Sequence, residues 1–283
     1  MSGRLILCGT PIGNLGDLSQ RAIQTLKEAD VIACEDTRRT RKLLAHSGVS
    51  PRELVVYNDI NERRQGERLL SRIGSGTDVV LVSDAGMPGL SDPGYRLVRS
   101  CVERGFSVDV VPGPSSVVTA LAVSGLATGR FVFEGFLPRK QGERVRRLEE
   151  LSTEQRTLVM FESPHRLKAS VSDLLVVLGD RRMALARELT KLHEEVRRGS
   201  IAEILEGLGA DPARGEVVLV VEGARSAASA LSAAELATRA RSLMAGGMER
   251  RSALATVAKD AGVPRRRVFD ALLEEPQAGE PTD

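Results

Sequence analysis

The sequence has few aromatic residues: among 283 residues there are no Trp, two Tyr and six Phe. A platform that holds RNA bases by stacking them on aromatic rings needs more than this, so the composition argues against that binding mode. The formal net charge is only +2, with 40 Lys and Arg against 38 Asp and Glu. Any nucleic-acid partner would therefore be held by local clusters of Arg and Lys rather than by the charge of the whole chain.

Cysteines and long apolar runs are also scarce. Cys8, Cys34 and Cys101 form no CxxC pair, so we interpret them as buried or half-buried free thiols in a reducing compartment. The three histidines are scattered without metal-ligand spacing, and we expect no metal. No apolar run is long enough for the core of a signal peptide or for a membrane span. We therefore expect a cytoplasmic protein.

Short apolar runs alternate with amphipathic helical patterns through the first part of the chain. Leu5–Cys8, Val31–Cys34 and Val79–Ser83 are continuous apolar runs, as in strands buried on both faces, and helices are predicted between them. This alternation predicts an α/β fold with a mostly parallel sheet covered on both faces. Pro112-Gly113-Pro114 interrupts the pattern, and the later strands follow one another more closely, which predicts a second, mixed sheet.

These patterns predict a division into domains. We expect an N-terminal α/β domain over residues 1–113 and a second α/β domain over residues 114–224. Residues 225–231 are rich in Ala and Ser and are predicted to form a linker. Ser232 and Glu235 have the spacing of a capping box, which opens a small helical domain over residues 232–273. Residues 274–283 contain two prolines and few apolar residues, so we predict a disordered tail.

The most strongly marked loops follow predicted strands, and open α/β sheets bind ligands at the carboxyl ends of their strands. The loop Ser83–Gly94, SDAGMPGLSDPG, holds three Gly and two Pro. Glycine lets a backbone approach a ligand closely, so we predict a binding loop here. Two further candidates are the loop Thr10–Asn14 and the loop Pro112–Ser116. The second leads into a helix whose N–H groups could bind a carboxylate or hydroxyl.

Three acids at strand ends are candidate general bases: Glu35, Asp36 and Asp84. For Glu35 and Asp36 the alternative is a role in capping the next helix. The chain shows no nucleophile elbow, no HExxH motif and no cysteine nucleophile pattern. This indicates that a bound reactive cosubstrate carries the chemistry. Methyl transfer from a sulfonium fits, because the enzyme then mainly has to align an acceptor with an already activated group.

Taken together, these segments resemble the tetrapyrrole methylase (class III methyltransferase) superfamily. Within it they resemble the ribosomal RNA small subunit methyltransferase I family, the cytidine 2′-O-methyltransferases of 16S RNA. The resemblance covers about residues 4–223. The matching segments are TPIGNLGDLS from Thr10, EDTRRTRKLL from Glu35, SDAGMPGLSDPGY from Ser83, PGPSS from Pro112, FVFEGFLPRK from Phe131, ESPHRL from Glu162, ARELTKLHEE from Ala186 and GEVVLVVEG from Gly215.

The resemblance implies a homodimer that binds S-adenosylmethionine in a cleft between the two α/β domains, without a metal, and methylates a cytidine 2′-hydroxyl of 16S RNA in the small ribosomal subunit. Matching positions imply nine cofactor contacts, several through backbone atoms: Ile12, Gly86, Met87, Leu90, Ser115, Ser116, Val117, Phe161 and Glu162. Basic residues of the matching segments are predicted to contact RNA: Arg38, Arg39, Arg41, Lys42, Arg139 and Lys140.

The chain departs from the family pattern at two places. Met87 stands where the family usually has Thr, which preserves a backbone contact but not a hydroxyl contact. Asn58-Asp59-Ile60-Asn61 stands where the family usually has His-Glu-His-Asn. This segment therefore supplies no histidine base, and we assign no catalytic role to it.

Two alternative functions are also compatible with the sequence. One is methylation of a tetrapyrrole such as a corrin precursor, whose acidic side chains could bind the basic residues near the cleft. The other rests on Ala253–Leu272, which has the spacing of a DNA-binding helix-turn-helix, with Arg265, Arg266 and Arg267 opening the recognition helix. The same segment could also be an RNA-docking or purely structural helical cap.

Overall fold

The structure is a computed structural model, and it describes residues 2–209, 215–224, 231–261 and 263–274. The chain divides into two compact units, Met1–Ser152 with Arg156–Glu222 and Thr153–Gln155 with Gly223–Asp283. The predicted linker, apart from residue 231, and the predicted tail, apart from residue 274, lie outside the described residues. The domain boundaries drawn from the sequence stay predictions.

The first unit opens with a five-stranded parallel sheet. Its strands are β1 (Arg4–Cys8), β2 (Val31–Cys34), β3 (Leu54–Val56), β4 (Val79–Val82) and β5 (Ser107–Val111), in the order β3-β2-β4-β1-β5. The connecting helices are α1 (Gln20–Glu28), α2 (Thr37–His46), α3 (Glu62–Gly74) and α4 (Tyr95–Glu103). Every residue of β2 and β4 is buried, as expected for central parallel strands covered on both faces. The prediction of an α/β fold with a parallel sheet is confirmed.

Strand β5 departs from the predicted cover on both faces. It lies at the edge of the sheet beside β1, and only the last of its five residues, Val111, is buried. Val110 is 52% exposed. The segment Val108–Val111 reads VDVV, whose valines predict a strand. Its position at the edge of the sheet leaves part of it open among the described residues.

The second sheet follows α5 (Ser116–Val123). Its strands are β6 (Phe131–Phe136), β7 (Thr157–Glu162), β8 (Arg182–Arg187), β9 (Glu195–Ser200) and β10 (Val217–Val221), in the order β6-β7-β10-β8-β9. Strands β6 and β7 are parallel, whereas the other neighbouring pairs are antiparallel. The prediction of a mixed sheet is therefore confirmed. The accompanying helices are α6 (Gln141–Glu150), α7 (Leu167–Leu178) and α8 (Ile201–Gly207).

One apolar cluster joins the first sheet's loops to the second sheet. Ile12, from the loop after β1, and Val117 and Leu121, from α5, pack with Val218 and Val220 of β10. Their side chains are at most 7% exposed. Burial of this kind stabilises the contact by about 25 cal/mol per Å² of apolar surface. The cluster therefore fixes the loops at the carboxyl ends of β1 and β5 against the second sheet.

The described residues of the second unit form three helices, α9 (Ala233–Ala245), α10 (Arg250–Asp260) and α11 (Arg265–Glu274). Their shared core includes Leu236, Leu254, Val257 and Val268. The predicted capping box is confirmed, because Ser232 and Glu235 each accept a hydrogen bond from the other's backbone N–H.

The state of the cysteines and the apolar character of the helices can be compared with the expectations from composition. Cys8, Cys34 and Cys101 are free and buried, as predicted. Among the described helices, none has both the length and the apolar character needed to cross a membrane.

Candidate active site

A cleft of about 500 Å³ opens in the first unit, within the usual size range of small-molecule sites. The loops that follow β1, β2, β4 and β5 line one side of it. The loop after β7 and the start of β10 line the other. The loops singled out in the sequence as candidate binding loops therefore meet at one place, which is where an open α/β sheet binds its ligands.

All nine residues assigned to the cofactor by resemblance line this cleft. Two of the three candidate bases, Glu35 and Asp84, line it as well, whereas Asp36 does not. Of the six cations predicted to contact RNA, Arg39 reaches the cleft. The structure thus brings most of the predicted site together and leaves Asp36 and the other five cations outside the cleft lining.

The loop after β1 is paired through its backbone with the loop Ser83–Gly94, which we call the Gly/Pro loop. The N–H of Thr10 donates to the carbonyl of Gly86 at 2.9 Å, and the N–H of Gly86 donates back at 3.1 Å. The hydroxyl of Thr10 also donates to the carbonyl of Ser83 at 3.2 Å. Gly86 has φ +82°, a conformation that side chains disfavour, so a glycine is required where the loop turns into the cleft.

The ends of β1 and β5 touch through two glycines. A Cβ on Gly9 would lie 2.6 Å from Cα of Gly113, and a Cβ on Gly113 would lie 2.8 Å from Cα of Gly9. The thioether of Met87 packs at the same junction, where its Sδ accepts from the N–H of Gly113 at 3.3 Å. No side chain fits between these loops without moving the backbone.

Acidic side chains are concentrated at one end of the cleft. The N–H of Asp84 donates to Oε1 of Glu35 at 3.1 Å, and the N–H of Asp36 donates to Oδ1 of Asp84 at 3.2 Å. Nη1 of Arg39 lies 3.4 Å from Oδ2 of Asp84. Both oxygens of Asp84 are thus engaged, while Glu35 has one oxygen without a hydrogen bond to any described residue.

Asp36 behaves as a helix cap. Its Oδ1 accepts from the N–H of Arg38 at 2.8 Å at the start of α2, and its Oδ2 lies 2.8 Å from Nη2 of Arg38. These interactions with Arg38 lower the pKa of Asp36 to about 2. A carboxylate this acidic and already bonded is a poor proton acceptor, so the geometry favours Glu35 and Asp84 over Asp36.

Asp92 is a further acid of the cleft that sequence reasoning missed. Burial raises its pKa to about 7, with further contributions from the charges of Glu35 and Asp84. Burial also raises the pKa of Glu35. The candidate bases were chosen among acids directly at strand ends, and Asp92 does not lie at one. It does lie within the Gly/Pro loop, which was predicted to bind a ligand.

Glu162 lines the cleft with its main chain rather than its carboxylate. Its side chain is fully buried. Oε1 accepts from the N–H of Ser163 and from Arg166, each at 2.6 Å, and Oε2 accepts from the hydroxyl of Ser170. Because both oxygens are satisfied internally, a ligand can reach only backbone atoms at this position.

The predicted RNA-binding cations differ in how free their charges are. Arg38 pairs with Asp36, and Lys140 lies 3.3 Å from Glu143. Arg41, Lys42 and Arg139 are exposed. Beneath Arg139, the buried Arg144 donates to the carbonyl of Arg139 at 3.2 Å and pairs with Asp173 at 2.6 Å. This buried pair holds the backbone that carries Arg139 and Lys140.

The segment that departs from the family pattern forms a local turn. The N–H of Asn58 donates to Oδ1 of Asn61 at 2.9 Å, and the N–H of Asn61 donates to Oδ1 of Asn58 at 3.3 Å. Between them Ile60 is 97% exposed. The two asparagines therefore shape the turn.

Comparison with known proteins identifies the family. Residues 4–205 match the family of Tetrapyrrole (Corrin/Porphyrin) Methylases. A protein of Halalkalibacterium halodurans named ribosomal RNA small subunit methyltransferase I is 43% identical over 280 residues, which is 96% of each chain. The chain belongs to the ribosomal RNA small subunit methyltransferase I family. The resemblance drawn from the motifs is confirmed.

Other members and neighbours of the ribosomal RNA small subunit methyltransferase I family differ in extent. The Thermotoga maritima protein of the same name is 46% identical and is covered over 99% of its length, but it covers only 78% of this chain. The solved uroporphyrin-III-C-methyltransferase of Thermus thermophilus is 24% identical, with a TM-score of 0.54 over 78% of this chain and 94% of its own. At that identity the second comparison speaks for the fold alone.

Proposed function

We propose that this member of the ribosomal RNA small subunit methyltransferase I family transfers a methyl group from S-adenosylmethionine to the 2′-hydroxyl of a cytidine in the RNA of the small ribosomal subunit. One observation carries the proposal: nine residues implied by motifs from separate loops line a single cleft. The family's name supports the RNA substrate. The choice of cytidine and of the 2′-oxygen rests on the motif resemblance.

The cleft suits S-adenosylmethionine, which carries a sulfonium, an ammonium and a carboxylate. Glu35, Asp84 and Asp92 would offset its positive charges, with Arg39 as the single cation among the lining residues. The start of α5 at Ser116 presents backbone N–H groups that would hold a carboxylate. When bound, the cofactor supplies an activated methyl group, so the protein's task is to align and deprotonate the acceptor.

The apolar wall of the cleft would hold the uncharged part of the cofactor. The ring of Phe161 lies 5.0 Å from that of Phe133 and 5.3 Å from that of Phe136, measured between centroids. Leu90 is half exposed at the other side. These contacts give Phe161 a fixed orientation, which limits the entropy lost when a planar group packs against it.

A ribose hydroxyl must lose its proton on methylation, and we assign that proton to Glu35. Burial raises the pKa of Glu35, which brings it closer to working pH, and one of its oxygens is free of protein hydrogen bonds. Asp84 has both oxygens engaged by Asp36 and Arg39. A general base contributes about 10²–10⁴ in rate, so Glu35→Gln should lower the rate of methyl transfer by about that factor.

Replacement of Glu35 tests this assignment against Asp36. Asp36→Asn serves as the matched control, because it removes a nearby carboxylate that already pairs with Arg38. Single-turnover methyl transfer at saturating cofactor should collapse in Glu35→Gln, with cofactor affinity measured in parallel by calorimetry so that weaker binding is separated from slower transfer. Unchanged transfer by Glu35→Gln, or an equal loss in Asp36→Asn, would contradict the assignment.

The overall proposal is tested by product analysis. Purified protein is incubated with methyl-labelled S-adenosylmethionine and either unmethylated small ribosomal subunits or a corrin precursor. Nuclease digestion and mass spectrometry should give labelled 2′-O-methylcytidine from the subunits and no labelled corrinoid. Label in the corrin alone, or on a base rather than a ribose, would refute the proposal.

We further propose that the protein acts in the cytoplasm and, as the motif resemblance implies, as a homodimer. The exposed Val110 on the edge strand β5, together with Val118 on α5, offers apolar surface for self-association. Light scattering should give a mass twice that of the 30.5 kDa chain. A mass equal to that of one chain at micromolar concentration would exclude the dimer.

A further inference from the structure

The second unit carries a basic groove along α10 and α11. Its lining contains four arginines, two acids and two apolar residues: Arg250, Arg251, Arg265, Arg266, Glu249, Asp270, Leu254 and Phe269. The four arginines come from the first turns of the two helices. Cations from two separate segments of the chain thus converge on one surface, which we call the arginine groove.

The charges of the arginine groove are largely uncompensated. Among the described residues, no acid forms an ion pair with Arg250, Arg251 or Arg265, and none of these has an unstated partner. Arg266 lies 3.7 Å from Asp270, but the two side chains are 90% and 51% exposed. An exposed pair of that length contributes little, so all four guanidinium groups remain available to a polyanion.

An aromatic ring lies within the same groove. Phe269 is 40% exposed, and the guanidinium carbon of Arg250 lies 5.5 Å from its ring centroid. In a chain with so few aromatic residues, this one is left open rather than used in the core of the second unit. Arginines beside an accessible aromatic ring are a combination that suits a phosphate backbone with adjacent bases.

The arginines of the groove lie at the N-terminal ends of two helices, where positive charge is unfavourable. Neither α10 nor α11 has an acid in its first turn, although helix starts favour negative charge; for α10 the acid Glu249 stands at the N-cap. By contrast, α9 begins with Glu235 and a capping box. The clustered arginines therefore repel one another, and those of α11 also oppose its helix dipole. A bound polyanion would relieve both penalties.

A relative supports a separate role for this unit. The Thermotoga maritima protein is covered almost completely yet leaves about a fifth of the present chain unmatched. Residues 223–283, which hold all three helices of the second unit, amount to a similar share. A protein of the same family name thus exists at about the size of the first unit alone, which supports a role for the helical unit outside the chemistry.

We propose that the arginine groove binds the phosphate backbone of the RNA substrate and adds affinity without taking part in methyl transfer. This inference rests on the proposed RNA methylation. RNA is the favoured partner because the chain belongs to the ribosomal RNA small subunit methyltransferase I family. The first unit and the arginine groove would then bind the same RNA molecule, and tethering raises the effective concentration of the second contact.

The test compares two double variants of the full-length chain. Arg251→Gln with Arg265→Gln removes two charges from the groove. Arg239→Gln with Lys259→Gln removes two exposed charges from the same unit outside the groove lining. Binding to small ribosomal subunits is measured between 50 and 200 mM salt, and methyl transfer is measured at saturating cofactor.

The groove variant should lower the slope of log affinity against log salt by about 1.5, because each lost phosphate contact accounts for about 0.7–0.9. KM for the subunit should rise about tenfold at physiological salt, with kcat unchanged. The control variant should match the wild type in both readouts. Equal losses in the two variants, or no loss in the groove variant, would overturn the proposal.

Two further outcomes separate this inference from its alternatives. Preferential binding of duplex DNA over RNA of equal length, lost in the groove variant, would identify a DNA-binding unit and refute RNA docking. The binding assay requires no catalysis. Wild-type protein that binds subunits through the groove but transfers no methyl group would refute the proposed function while leaving the groove assignment intact.

Discussion

Asp84 and Glu35 join the carboxyl ends of β4 and β2: the backbone N–H of Asp84 donates to Oε1 of Glu35 at 3.1 Å. The side chain of Asp84 in turn accepts from the N–H of Asp36 at 3.2 Å. This arrangement holds two carboxylates at one end of the cleft, and their charges contribute to raising the pKa of Asp92 to about 7, after burial itself. Three acids that repel one another are well suited to a cationic ligand.

Binding of the cationic cofactor should therefore depend on the ionisation of Asp92. With a pKa of about 7, this carboxyl is mostly protonated at pH 6 and mostly ionised at pH 8. We expect the affinity for S-adenosylmethionine to increase over this interval, with release of a proton on binding. Titration calorimetry in buffers of different ionisation enthalpy measures that proton, and Asp92→Asn should bind more weakly and without the pH dependence.

The same residue should have the opposite effect on stability. A carboxyl whose pKa is raised on folding holds more protons in the folded state than in the unfolded state between about pH 4 and 7. Its contribution to stability is then present below about pH 4 and is lost as pH rises through about 7. Asp92→Asn should unfold at a higher temperature than the wild type at pH 8. A wild type whose cofactor affinity is the same at pH 6 and at pH 8 would contradict the role of Asp92 in cofactor binding.

Most of the fold could be predicted because its signals are local. The run Val31–Cys34 matches β2 residue for residue, and the helix predicted after it is present as α2. A buried parallel strand is a continuous apolar run, and a capped helix begins at a polar residue. The exposure of β5 could not be predicted in this way. Its sequence, SVDVV, combines three valines with Asp109, and so short a segment does not show whether the strand lies in the middle or at the edge of a sheet.

The candidate site was predictable as a set of loops but not as chemistry. Motifs indicated which loops meet, whereas the freedom of each carboxylate depends on contacts between distant residues. Asp36 is tied to Arg38, and Glu162 is enclosed by Arg166 and Ser170. The raised pKa of Asp92 arises first from burial and then from the charges of nearby acids, among them Glu35 in the loop after β2, and the spacing along the chain does not encode this burial.

The glycine contact between β1 and β5 predicts a sharp difference between substitutions. Gly9→Ala would place a Cβ 2.6 Å from Gly113, so the loops must separate, at a cost of about 1–3 kcal/mol in the free energy of unfolding. Cofactor affinity should fall with it. Gly142→Ala in α6 is the control, because a Cβ at this position meets no atom within 4 Å. This substitution should raise the free energy of unfolding by about 0.5–1 kcal/mol. Urea unfolding measures both, and equal stability of the two variants would refute the close contact.

The basic segment of α2 should contribute unequally to RNA binding. Arg41 and Lys42 are exposed, whereas Arg38 is paired with Asp36 at 2.8 Å. Arg41→Gln with Lys42→Gln should lower the salt slope of RNA affinity by about 1.5. Arg38→Gln should change it less, because its charge is already partly neutralised. Filter binding at several salt concentrations gives the slopes, and an Arg38 effect larger than half that of the double variant would argue against this ranking.

The buried pair of Arg144 and Asp173 should be important for stability and for the position of Arg139. The side chains are 5% and 10% exposed and lie 2.6 Å apart, and Arg144 also donates to the carbonyl of Arg139. Asp173→Ala would leave a buried, unpaired guanidinium, which costs about 3–5 kcal/mol.

Replacing both partners, as Arg144→Met with Asp173→Leu, should cost less than Asp173→Ala alone, because no buried charge is then left unpaired. The double variant should nevertheless bind RNA more weakly, since the backbone under Arg139 and Lys140 has lost its anchor. Arg99→Met is the exposed control: Arg99 pairs with Glu103 at 2.7 Å, but the side chains are 64% and 57% exposed, so we expect less than about 1 kcal/mol. Urea unfolding gives the three stabilities. A double variant less stable than Asp173→Ala would mean that the pair itself, rather than the avoidance of an unpaired charge, supplies the stability.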